Sequence, residues 1–395
     1  MAAAEDRHRP GTPAYRRLNL AMICAGLAAF GMLYATQPVL PEIAAAYGTT
    51  ATTASLTVSA STGALALAVI PVTALAARWG RVRSMRVGLL LAVALAIACA
   101  AAPSIGALIG LRGVLGLVLA GVVAVAMGHV GAEVHPSGVG AAMGLYVAGN
   151  SLGGVGGRLV TAGAADLGSW RLGLLLIALF ALVATAGFWW LLPDAVNDHP
   201  GPQSRGGFGP VLREPALLAL VAVPFLLMGG FVAVYNYLTF RLVAPPFELP
   251  VALVGLVFLA YLAGTTSSAI AGRASDRYGR LPVFAGGVVV MIGGLVLTLV
   301  DSVPGVVLGL VLLTAGFFAG HAVASGWTSL AAGASATQAS ALYVCAYYGG
   351  SSVFGAWVGT AWSAFGWPGV VVWVGALAAL ALAAGVFAAS RLRRG

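Results

Sequence analysis

A short arginine-rich motif occurs twice, 199 residues apart, as Ala77-Arg78-Trp79-Gly80-Arg81 and Asp276-Arg277-Tyr278-Gly279-Arg280, and each copy is wedged between long apolar runs. Other landmarks repeat at nearly the same offset: Leu145-Tyr146-Val147 returns as Leu342-Tyr343-Val344, and Trp170 as Trp367, both 197 residues on. The chain is therefore a duplication, and its two halves should fold alike. Repeated membrane bundles of this kind can rock about a site held between them, which is the organisation expected of a transporter.

Composition supports a membrane setting. Hydrophobic residues make up 60% of the chain and charged ones 8%, which leaves too little polar surface for a water-soluble domain. Glycine is 55 of 395 residues, and in a bilayer glycine lets helix backbones approach where the hydrophobic effect no longer drives association. A net charge of +9 would suggest nucleic acid in a soluble protein, but here the arginines cluster beside apolar spans and report orientation instead. No nucleic-acid partner is expected.

A hydrocarbon layer roughly 30 Å thick needs about 20 helical residues per crossing. Twelve runs qualify, near 18–36, 52–75, 85–102, 105–130, 139–162, 172–191, 216–242, 251–270, 282–300, 305–326, 339–362 and 369–390. The expected fold is an all-α membrane protein of twelve transmembrane helices in two six-helix bundles, residues 1–192 and 216–395, joined by a linker at 193–215 rich in Gly, Pro and charge.

With an even number of spans both termini share a side. Four arginines precede residue 18, four lie from Arg78 to Arg86, two are Arg205 and Arg213, three lie from Arg273 to Arg280, and three are Arg391, Arg393 and Arg394. These 16 of 20 fall on one face, so the positive-inside rule predicts cytoplasmic termini and a multi-pass protein of the cytoplasmic membrane. Cys24, Cys99 and Cys345 lie in separate predicted helices, which argues against a disulfide framework.

The arginine-rich turns resemble the loop signature of the major facilitator superfamily, G-x-x-x-D-R-x-G-R. The second copy, Gly272 through Arg280, matches it throughout; in the first, Thr73 and Ala77 replace the glycine and the aspartate. Arg112-x-x-x-Gly116 resembles the proton-coupling motif of the drug:proton antiporter branch. Gly140, Gly149, Gly153 and Gly157 fall at the spacing of that branch's antiporter motif, with Gly154 where the motif has proline. Further runs look like the YnfM subgroup of exporters: Gln37-Pro38 with Pro41, His135-Pro136-Ser137, Gly149-Asn150-Ser151 through Arg158, Asn236-Tyr237, Gly316-Phe317-Phe318 with His321, and Tyr347-Tyr348. The resemblance implies proton-coupled efflux of a small organic compound by alternating access.

The residues carry their own physical reading. Asp276 can accept from free N–H groups at a helix start, while Arg277 and Arg280 face carboxylates or helix carbonyl ends, which makes a conformational latch; a plain topogenic cluster is the simpler alternative. In the first copy Arg78 and Arg81 lack that aspartate, and Glu133 is the nearest acid in topology. Arg112 is expected within the membrane, where an arginine must face protein, water or solute, or snorkel to the interface. Arg158 and Asp166 could form a gate or an ordinary interfacial pair. The glycines of the fifth span, with Asn150 and Arg158, read as a close-packing or gating helix.

His321 is deep in a predicted helix, and an imidazole with its ordinary pKa of about 6.5 can accept a proton or simply sit satisfied in a core. Tyr34, Gln37, Tyr235, Asn236, Tyr343 and Tyr347 supply amides and phenols for an organic ligand of mixed polarity, with Arg112 and His321 beside them as the proton-coupling pair. All 11 acidic residues fall in predicted loops or helix ends, so no embedded carboxylate awaits a cation. No metal-ligand cluster, nucleophile with base or phosphate loop is present, so an enzyme, a metal site and a cofactor are not expected. The expected partners are a small molecule, H+ and the lipid bilayer, with the chain acting as a monomer. An uptake permease for a small anionic metabolite is the alternative, because rocking is direction-neutral and the arginines suit an anion.

Overall fold

The structure is a computed structural model that describes residues 7–196 and 207–393; the middle of the expected linker, with Asp198 and Arg205, and Arg394 lie outside the described residues. The α-helices, in chain order, are α1 Pro13–Leu33, α2 Leu40–Ala46, α3 Ala51–Trp79, α4 Arg81–Ala100, α5 Ile105–Glu133, α6 Val139–Leu167 and α7 Trp170–Leu191. They continue with α8 Gly209–Arg213, α9 Pro215–Val243, α10 Val251–Leu256, α11 Tyr261–Tyr278, α12 Arg280–Leu297, α13 Val303–Ala331 and α14 Ala336–Leu392. Among the described residues there is no sheet, only an isolated bridge between His8 and Val134. This is an all-α membrane fold.

Among the described residues, ten helical stretches are long and apolar enough to cross a membrane. The 57 residues of α14 far exceed one crossing, and the run breaks at Gly366, whose φ of 62° and ψ of −149° suit only glycine. Its parts, 336–365 and 367–392, are two crossings. With α6, whose 29 residues also suffice, the described chain carries the twelve crossings that the hydropathy predicts.

Local chemistry sets the helix starts. Thr12, Ser104, Ser169, Glu214 and Ser302 each accept a hydrogen bond from a backbone N–H of the first turn that follows, and proline stands in the first turn of α1, α9 and α13. The glycines of the two arginine motifs do equivalent work. Gly80 has a φ of 89° and Gly279 a φ of 87°, and each turns the chain sharply from one helix into the next.

The chain divides into two compact units, Met1–Val39 with Leu67–Gln203, and Leu40–Ala66 with Ser204–Gly395. In the first, α1 packs on α6 and α7, and α4 on α5 and α7. The contact between α1 and α6 runs along glycine. A Cβ on Gly149 would lie 2.9 Å from Ile23 Cα, one on Gly153 2.7 Å from Leu27 Cα, and one on Gly157 2.7 Å from Gly31 Cα. Backbone meets backbone there, so dispersion and close fit hold the pair where lipid offers no hydrophobic gain.

In the second unit α9 lies along both parts of α14, while α13 packs on α11 and α12. Tyr237 of α9 places its hydroxyl 3.1 Å from Ser55 Oγ in the first part of α3, and the Ser352 hydroxyl donates to the Ser59 carbonyl at 2.8 Å. Hydroxyls thus tie the beginning of α3 to this unit.

Candidate functional site

In the first unit the end of α1 carries Tyr34, and Gln37 follows in a short 3-10 turn. Arg158 reaches them from α6. Its Nε donates to Gln37 Oε1 at 2.8 Å, its Nη1 to the Gly154 carbonyl at 2.8 Å, and its guanidinium lies 4.4 Å from the centre of the Tyr34 ring. Arg158 is 2% exposed, whereas Asp166, the alternative partner by sequence, is on the exposed last turn of the helix.

Arg112, also 2% exposed, points at the end of α1. Its Nη1 donates to the Met32 carbonyl at 2.7 Å and its Nη2 to the Leu33 carbonyl. The last carbonyls of a helix have no intrahelical partner and carry the negative end of the helix dipole, so a buried guanidinium is well placed there. Arg112 thereby fixes the segment that presents Tyr34 and Gln37.

The second unit brings Tyr235, His321, Tyr343 and Tyr347 into one aromatic network. Tyr235 on α9 stacks with Phe258 at 5.2 Å between ring centres and meets Tyr261 at 5.0 Å; its hydroxyl pairs with Thr314 Oγ1 at 2.7 Å. Phe231, one turn earlier, stacks on Phe317 at 4.0 Å, and Phe317 lies nearly parallel to His321 at 5.8 Å between ring centres. His321 meets Tyr347 at 4.9 Å, and its Nδ1 is 2.9 Å from the Tyr343 hydroxyl. Asn236 points elsewhere: fully buried, it donates to the Gly355 carbonyl at 3.2 Å and joins α9 to α14.

In the expected latches, Asp276, Arg277 and Arg280 are exposed on the turn between α11 and α12, as is Arg78 at the end of α3, while Arg81 is half-buried. Glu133 is buried at the end of α5. Its carboxylate accepts the Val196 N–H at 2.6 Å and lies 4.0 Å from His8 Nε2. The end of α5 therefore holds the N-terminal segment and the start of the linker. The glycines of the expected gating helix, Gly149, Gly153 and Gly157, are the ones seated on α1, and Asn150 lies against Gly26 of the same helix.

Sequence reasoning passed over Arg171 and Arg241. Arg171 donates to the Ala102 carbonyl at 2.9 Å, beyond the end of α4; Arg241 donates to the Thr298 and Leu299 carbonyls beyond α12 and pairs with Asp301 at 2.8 Å. Ala102 and Leu299 are equivalent by the 197-residue repeat. Two different arginines thus serve one duplicated helix end. Phe231, Phe258 and Tyr261 were also passed over, whereas Phe317 and Phe318, one turn before His321, stood in a run already singled out.

A duplicated twelve-crossing helical fold with a polar and aromatic interior defines a membrane transporter. The family model described as Major Facilitator Superfamily matches residues 21–353. The inner membrane transport protein YnfM of Escherichia coli (strain K12) is 40% identical over 388 residues, covering 97% of this chain and 92% of that protein. The MFS-type transporter YybF of Bacillus subtilis (strain 168) is 37% identical over 367 residues, covering 92% and 91%. Among solved structures, a bacterial homologue of the human lysosomal transporter Spinster, inward-facing and occupied, superposes with a TM-score of 0.77 at 15% identity over 97% of this chain and 98% of that one. The nucleoside transporter NupG gives 0.76 at 11% identity over 95% and 99%; both likenesses speak for the fold alone. The chain belongs to the Major Facilitator Superfamily and is a multi-pass membrane transporter, not an enzyme.

Proposed function

We propose that this transporter exports a small organic molecule across the cytoplasmic membrane by alternating access, driven by an inward flow of protons. The observation that carries the reading is the placement of His321, an imidazole bonded to Tyr343 within a wall of neutral rings. Such a wall suits an organic solute, and a histidine is the side chain best matched to taking up and releasing a proton near neutrality. Arg112 acts in coupling through its hold on the end of α1, where Tyr34 and Gln37 sit. The turns carrying Arg78, Arg81, Asp276, Arg277 and Arg280 act as latches, and α6, with Gly149, Asn150, Gly153, Gly157 and Arg158, as the gating helix. The moving bodies are the duplicated halves, residues 1–192 and 216–395, with the chain working as a monomer.

The bias of 16 arginines to one face supports cytoplasmic termini. The relative YnfM is an inner membrane transport protein, which agrees with that location. Export rests on the likeness to the exporter branch and is open to a direct test. Inverted and right-side-out vesicles from cells overproducing the chain are energised and offered a panel of anions, neutral aromatics and cations. Accumulation of a compound in inverted vesicles, abolished by a protonophore and absent from vesicles lacking the protein, is the expected result. Accumulation only in right-side-out vesicles would overturn export.

A further inference from the structure

The aromatic network of the second unit has a buried side and an accessible rim. Phe231, Tyr235, Phe258 and Phe317 are at most 1% exposed, while Tyr261, Phe318, His321 and Tyr347 are half-buried. Ring contacts join the rim through buried Phe317: Tyr261 meets Phe318 at 6.0 Å, Phe318 meets Phe317 at 5.2 Å, and Phe317 lies against His321, which meets Tyr347. Phe318 is held in place by Gly264, since a Cβ there would lie 2.7 Å from Phe318 Cγ. Backed by packed rings, these faces are pre-organised to stack a flat ligand with little loss of side-chain freedom.

Charge narrows the ligand. The described carboxylates of this unit, Glu42, Glu214, Glu248, Asp276 and Asp301, lie in loops, in the short helix α2 or in terminal turns of longer helices. Of its described arginines, Arg213, Arg241, Arg277, Arg280 and Arg391 lie in the first or last turns of helices, Arg393 follows the end of α14, and Arg273 is exposed one turn before the end of α11. A charged ligand stacked on the rim would meet no fixed counter-ion there.

Hydrogen bonding narrows it further. The Tyr343 hydroxyl is 2.9 Å from His321 Nδ1 and 3.1 Å from the His321 carbonyl. Its single proton satisfies both contacts only if it goes to the carbonyl and the hydroxyl oxygen accepts from Nδ1–H. That assignment keeps the imidazole proton on Nδ1 and leaves Nε2 with a lone pair. We infer that the rim formed by Tyr261, Phe318, His321 and Tyr347 binds an uncharged, planar aromatic or heteroaromatic ring whose N–H or O–H donates to His321 Nε2. The inference rests on the transport reading above and names its ligand class.

Four indole compounds share one ring and separate these features: indole, 1-methylindole without the donor, tryptamine as a cation and indole-3-acetate as an anion. Their dissociation constants are measured on the full chain in lipid nanodiscs, corrected for empty discs. Indole is expected to bind about fivefold more tightly than 1-methylindole, the worth of one hydrogen bond between neutral groups, and more tightly than either charged compound. H321F keeps a ring against Phe317 and removes the acceptor, so indole and 1-methylindole should bind it equally. Y343F releases the imidazole proton and should shrink the preference, while F318A should weaken both neutral compounds alike. Tightest binding of tryptamine or indole-3-acetate, equal binding of indole and 1-methylindole to the wild-type protein, a preference that survives in both H321F and Y343F, or no binding of any of the four would each overturn the ligand class. The vesicle experiment judges transport separately: movement of other compounds without this indole pattern overturns the ligand class alone, and selective indole binding without transport of any compound overturns the transport reading alone.

Discussion

Four of the arginines stand apart from the loop clusters, Arg112, Arg158, Arg171 and Arg241, and all four donate to main-chain carbonyls. Three of them do so at or just beyond a helix C-terminus, where unpaired carbonyls and the helix dipole both favour a cation. An arginine within a bilayer costs several kcal/mol when it lacks such partners, so the pairing explains how these charges are tolerated. Arg112→Ala should leave the Met32 and Leu33 carbonyls without their charged donor in a buried setting, at a cost of about 2–3 kcal/mol. Chemical unfolding of the purified variant would check this; unchanged stability would contradict the capping role, and Arg112→Lys should lose less than Arg112→Ala. The sequence marks Arg112 and Arg158 as embedded charges but is silent on their partners, because a main-chain carbonyl acceptor leaves no residue signature. Arg171 and Arg241 escaped for the same reason, compounded by their position near predicted span ends.

Among the elements, α6 shows how glycines set the distance to a neighbouring helix. With the Cβ positions of Gly149, Gly153 and Gly157 falling within 3 Å of the α1 backbone, any side chain there must push the helices apart. Gly153→Leu should therefore break the seam between α1 and α6 and sharply reduce the yield of folded protein. Gly156→Ala on the same helix, where a Cβ meets nothing within 4 Å, should be tolerated. Comparable monodispersity of the two variants in size-exclusion chromatography would contradict this account of the seam. The spacing of these glycines was visible in the sequence, but which helix they face was not, since a ladder of small residues specifies closeness and not identity of a neighbour. The span positions were legible because hydropathy and length suffice for them. The aromatic wall was legible only in part: Tyr235, His321, Tyr343 and Tyr347 combine a ring with a polar atom and stand out, while Phe231 and Phe258 look like any lipid-facing phenylalanine until the helices are assembled.

For the whole molecule, duplication is the organising fact, and the backbone repeats it as well as the sequence. Gly80 and Gly279 share one left-handed conformation, and the ends of α4 and α12 are each held by an arginine. The halves differ in chemistry: one offers Arg158 hydrogen-bonded to Gln37 and set over the ring of Tyr34, the other neutral rings around His321. That difference suits the proposed proton-coupled transport of an organic molecule, in which a titratable group stands beside the solute without holding it by a fixed charge. The central claim is that His321 links the proton to the solute. The measurement that tests it most directly uses the purified chain in proteoliposomes with a trapped pH dye, an imposed pH gradient and a compound identified in the vesicle screen. In the wild-type protein, movement of the compound should be accompanied by proton movement in the opposite direction; in His321→Gln the compound should still exchange across the membrane at equilibrium while the coupled proton signal disappears. A proton signal of wild-type size in His321→Gln, at equal amounts of folded protein, would contradict the account.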